Sequence, residues 1–119
     1  MTPSRRAAVW VAVLWTLVLW MGCSIPGNQI PDVNVLSADK LAHIGLFAVF
    51  AVLWARVAPH RSLAIAGWGL AFGTFIEVWQ HLLPIGRTGD VYDVIADLIG
   101  LALGLGIAGG MARRAPAPA

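Results

Sequence analysis

Charge is scarce in this chain. Eight basic and six acidic side chains stand among 119 residues, 12% of the total, where an ordinary soluble domain carries about 25%. That is too few to keep the surface of a water-soluble domain polar and free of apolar patches. Cysteine is nearly missing as well. Cys23 is the single cysteine of the chain, which excludes a disulfide scaffold, and its place inside an apolar run says nothing about redox compartment. With 59% hydrophobic residues and a mean hydropathy of +0.78, a disordered chain and an ordinary nucleic-acid binder are excluded too.

What the chain has in quantity is apolar length. A bilayer core asks for roughly 20 consecutive apolar residues in a helix, with a range of 17–25. Ala7–Ile25 supplies the first such run without a charge. Leu41–Ala55 is short alone, but residues 38–57 reach the required length if Asp39 and Lys40 sit at headgroup level. Residues 62–83 and 91–112 give a third and a fourth run, the third carrying Glu77 and His81 and the fourth Asp93 and Asp97. Pro26-Gly27, Pro31-Asp32, Pro59 and Pro84-x-Gly86 fall between runs and break them. The sequence therefore predicts an all-α membrane bundle of four spans, a single domain over residues 1–119 with a low-complexity tail from Ala115.

The basic residues predict its orientation. Arg5, Arg6, Arg56, Arg61, Arg113 and Arg114 fall on one side of a four-span layout, and only Lys40 and Arg87 on the other. Short flanks rich in arginine stay in the cytoplasm, so both termini are expected inside. All six acids (Asp32, Asp39, Glu77, Asp90, Asp93, Asp97) then lie toward the outer face, leaving +6 inside and −4 outside with histidines neutral. On this reading the sequence pI near 9.3 reflects anchoring, not an anionic partner. Arg5-Arg6 ahead of an apolar stretch ending in Gly22-Cys23 has the outline of a lipoprotein signal. Trp20 stands where that signal needs a small aliphatic residue, and no A-x-A-like site is present, so a retained helix is expected. Trp10 and Trp20 near its ends suit interfacial anchors.

Ionisable groups within a span are costly and usually face the protein interior. Here they converge. Gly69, Gly73, Glu77, Gln80 and His81 recur along one stripe of the third helix, and Asp93, Asp97, Gly100 and Gly104 along one stripe of the fourth. The glycines mark close helix packing, so Glu77 and Asp97 should continue contact faces rather than meet lipid. Asp39 and His43 lie one turn apart at the same outer level of the second helix. An outward-facing polar pocket of Asp39, Lys40, His43, Glu77, Gln80, Arg87, Asp93 and Asp97 is expected.

Taken in order, Asp39-Lys40-x-x-His43, Gly73-x-x-x-Glu77-x-x-Gln80, Pro84-x-x-Arg87 and Asp93-x-x-x-Asp97-x-x-Gly100-x-x-x-Gly104 closely resemble the VanZ-like membrane proteins, related to the teicoplanin-resistance protein VanZ. The resemblance covers about 39–104, with the first span similar only in kind. It implies a role at the cell envelope, in the manner of the founding member's association with antibiotic resistance to the glycopeptide teicoplanin. One position departs: the family usually has asparagine where Asp97 stands, which implies hydrogen bonding there in place of charge.

Plainer readings stand beside this one. Ser37 could cap the second helix with Asp39 complementing its dipole, and Asp90 with Asp93 could cap the fourth. Glu77 could pair with Arg87 or Lys40 as interhelical glue. A metal is conceivable, since His43, Glu77, His81, Asp93 and Asp97 include imidazole and carboxylate ligands. Their spacing matches no metal signature, so no metal and no cofactor is expected. Transport is a third reading, but four helices without repeat symmetry would need an oligomer to form a path. The expected partners are the lipid bilayer and, on the outer face, a glycopeptide or cell-wall precursor, with no nucleic acid. The favoured role is binding or accessory. The alternative is a membrane-embedded enzyme using the same residues for acid/base chemistry on a lipid-linked envelope substrate.

Overall fold

The computed structural model describes residues 2–24, 38–83 and 91–114. They form four helices: α1 (Pro3–Cys23), α2 (Ala38–Val57), α3 (Ser62–Leu82) and α4 (Val91–Arg114). Each is long and apolar enough to cross a membrane. α1 begins upstream of the apolar run because Thr2 and Pro3 start it: Thr2 Oγ1 accepts the Arg5 amide, and proline fits the first helical position. α2 and α3 are joined by a tight link in which the Ala58 amide bonds the Trp54 carbonyl and the Arg61 amide the Ala58 carbonyl. α3 stops at Leu83, whose backbone is extended, as a residue before proline prefers. Ser37, Asp32, Arg87 and Asp90 lie outside the described residues.

α2 and α4 make the most extensive contact, α1 packs on α2, and α3 packs on both α4 and α2. Lys40 faces Asp93, His43 faces Asp97, and Ile44 and Ala48 face Gly100 and Gly104, so α2 and α4 run parallel. Glycine sets their separation. A Cβ on Gly100 would overlap the Ile44 carbonyl oxygen, and one on Gly104 the Ala48 carbonyl oxygen. α3 runs antiparallel to α4 and approaches it through Gly69 and Gly73, where a Cβ would lie 2.5 Å from a Leu101 methyl and from Asp97 Oδ2 respectively.

The middle of the bundle is aromatic and apolar. Phe47, Leu19, Ile76 and Leu101 are fully buried, and Phe50 stacks on Phe72 at 6.2 Å. Outside, Leu63 and Trp68 are 90% and 76% exposed and many other large apolar side chains point outward. A water-soluble surface rarely carries so much apolar area, whereas lipid accepts it. Trp10 is exposed, as an interfacial anchor would be. Trp20 instead turns inward, against Phe75 and Trp79.

Candidate functional site

The first turns of α2 and α4 lie side by side and form two polar rungs. On the upper one, Lys40 Nζ donates to Asp93 Oδ1 at 3.3 Å. One turn deeper, His43 Nδ1 meets Asp97 Oδ1 at 2.7 Å. With Asp97 ionised, Nδ1 is the donor, and the other ring nitrogen, Nε2, faces Asp39 Oδ1 at 3.9 Å. The register explains the geometry: Asp39 and His43 are four apart on α2, Asp93 and Asp97 four apart on α4, so both pairs stack on one face. His43, Asp93 and Asp97 are buried, and an isolated charge there would be strongly disfavoured; pairing makes it tolerable. The His43 ring lies nearly parallel to Phe47, with centroids 6.5 Å apart, so Phe47 is the floor between this cluster and the apolar middle.

α3 closes a third side. Gly73 has no side chain where Asp97 Oδ2 lies, which is what admits the carboxylate between the helices. Glu77, one turn further along α3 toward the same end, is buried as well. Gln80 is fully buried and donates from Nε2 to the Cys23 carbonyl at 2.7 Å. That carbonyl belongs to the last turn of α1, where helix carbonyls lack intrahelical donors. Beside it, the Trp79 indole donates to Ser24 Oγ at 3.1 Å, and that hydroxyl donates to the Trp20 carbonyl at 2.9 Å. Sequence reasoning missed this staple between α1 and α3, because a backbone carbonyl has no letter of its own. His81 departs from the expected stripe: one residue past Gln80 is a rotation of about 100°, and the ring is exposed.

The cluster thus gathers Asp39, Lys40, His43, Asp93 and Asp97 at the α2–α4 contact, while Glu77 and Gln80 are buried toward the same end of α3, Gln80 against the end of α1. Of the residues expected in the pocket, His43, Asp97 and Gln80 each bury one side-chain atom (Nε2, Oδ2 and Oε1) with no hydrogen-bond partner among the described residues. Buried polar atoms are normally satisfied, so these three mark unused bonding capacity. Asp39, His43 and Asp93 offer ligand atoms within 4.8 Å of one another, the one grouping of described residues with the reach for a divalent cation. Lys40 already places an ammonium on Asp93. The arrangement can therefore accept and donate several hydrogen bonds at once, and it holds an imidazole oriented by a buried carboxylate.

No curated protein and no solved structure matches the chain. A family does. The match runs from residue 5 to residue 112, so it takes in the first span and extends well past the 39–104 stretch that carries the motifs. The polar rungs, the glycine contacts and all but the outermost residues of α1 and α4 lie within it, and the chain belongs to the VanZ/LLP1 family of multi-pass membrane proteins.

Proposed function

We propose that this is an envelope protein of the bacterial cytoplasmic membrane, with both termini inside, whose outward polar cluster recognises a glycopeptide or a cell-wall precursor group. The observation that carries the reading is the buried bonding capacity at His43 Nε2, Asp97 Oδ2 and Gln80 Oε1, gathered at the end of the bundle opposite Arg56, Arg61, Arg113 and Arg114. Structural glue alone would leave such atoms paired. In this role Asp39, Glu77 and Asp93 accept hydrogen bonds, while Lys40, His43 and Arg87 supply positive charge.

The test is teicoplanin susceptibility of cells producing the protein. Glu77→Gln keeps shape and most hydrogen-bonding capacity while removing charge. Its expected result is normal insertion and melting temperature with loss of the protective phenotype. Full protection by that variant would remove Glu77 from the functional set, and unchanged susceptibility of cells producing the wild type would end the glycopeptide reading.

One observation favours the enzymatic alternative. A buried carboxylate on Nδ1 leaves Nε2 as the basic nitrogen, the arrangement by which an imidazole serves as general base. Turnover of a polyprenyl-linked envelope substrate by purified protein, abolished in His43→Gln, would establish it.

A further inference from the structure

The arginines that read in the sequence as membrane anchors are not spread evenly in the structure. Arg5 from the first turn of α1 and Arg56 and Arg61 from either side of the α2–α3 link line one open cavity of about 750 Å³, together with Ser4 and His60. Among the described residues, no acidic side chain lines it. None of the three arginine side chains makes an ion pair or hydrogen bond among the described residues. Further from the helix ends the walls turn apolar, at Val11 and Leu53. The cavity is therefore basic at its mouth and apolar within.

Three guanidinium groups around one opening repel each other, and among the described residues no carboxylate in the lining relieves them. An anion would. Guanidinium forks match phosphate oxygens in pairs, and the mouth lies where α1 begins and α2 ends, at the headgroup level of a spanning bundle. Basic pockets between transmembrane helices are suited to anionic headgroups. We propose that this cavity is a binding site for the phosphate of an anionic phospholipid, held by Arg5, Arg56 and Arg61, with the glycerol and first acyl carbons against Val11 and Leu53. The site is separate from the polar cluster and does not depend on that cluster's role or on which side of the membrane it faces.

The full chain is reconstituted in vesicles of equal parts phosphatidylglycerol and phosphatidylcholine, extracted in mild detergent, and its retained lipid counted by native mass spectrometry. Wild type should retain phosphatidylglycerol selectively. A basic side chain beside an anionic surface is worth roughly fivefold in affinity, so Arg56→Gln with Arg61→Gln should cut the selectivity about twenty-five-fold. Arg113→Gln with Arg114→Gln removes the same charge at the same end, outside the cavity, and should leave it unchanged. Arg56→Lys with Arg61→Lys preserves charge and insertion but loses the planar fork, so a severalfold drop is expected even if the glutamine pair folds poorly. Equal losses in the two glutamine pairs, or no selectivity in wild type, would overturn the site. Displacement of the retained lipid by soluble glycerol phosphate at matched concentration would overturn a lipid occupant in favour of a free phosphate ester.

Discussion

Asp97 is the residue at which family pattern and local physics meet most directly. Its Oδ1 accepts from the buried His43 ring, and Asp93 stands one turn away on the same face. An asparagine at this position, as the resemblance implies, would still accept through its carbonyl while removing one of two neighbouring negative charges. Asp97→Asn should therefore melt at or above the wild-type temperature. Asp97→Leu strands His43 Nδ1 in an apolar setting and should cost about 1–3 kcal/mol. Equal losses in both variants would mean that charge, and not hydrogen bonding, is what the position supplies. Asp39, His43 and Asp93 raise a separate question, since their spacing would admit a divalent cation. The Lys40 ammonium on Asp93 already supplies positive charge there, and it would repel a second cation. Protein purified in mild detergent should carry no stoichiometric zinc by plasma mass spectrometry, and chelation should leave its melting temperature unchanged. A metal held at about one per chain would overturn that expectation; three ligands and an open position are what a catalytic zinc site presents.

The helices were legible because apolar length and turn residues are written directly into the chain. The α2 and α3 boundaries fall within a residue or so of the apolar runs, while α1 starts earlier because a cap and a proline outrank hydropathy. Periodicity also picked out the faces that meet, since Gly69, Gly73, Gly100 and Gly104 all stand at close contacts. It could not name the neighbour. A stripe says which side of a helix is buried but not what it is buried against, so the parallel α2–α4 seam over Gly100 and Gly104 emerges only in three dimensions. The partner of Gln80 was illegible for a related reason, being the backbone of Cys23. The seam makes a sharp comparison possible. Gly104→Ala would drive a methyl into the Ala48 carbonyl, backbone that cannot rotate away, and should cost about 1–3 kcal/mol. Gly106→Ala meets nothing within 4 Å and should be neutral or gain up to about 1 kcal/mol from helix propensity. Thermal melts of the two variants in one detergent decide it; similar stabilities would mean the seam is slacker than described.

Among the described residues, charge is sorted by end: the polar rungs at the start of α2 and α4, the arginines at their finish. That sorting underlies the proposed orientation. In a Cys23→Ser background, cysteines introduced at Asn28 and Gly89 should react with an impermeant thiol reagent applied to intact cells, and one at Pro59 should react only after lysis. The reverse pattern would place the polar cluster in the cytoplasm and end the envelope proposal. The floor beneath His43 has its own consequence. Phe47 is fully buried and lies against Phe50 and Phe72, with centroids 5.9 and 6.4 Å away, and Ile76 and Leu101 belong to the same apolar cluster. A column of water or a relay of protons starting at the polar cluster would meet the Phe47, Phe50 and Phe72 rings there. On the proposed reading, a ligand recognised by the cluster would therefore leave by the way it came.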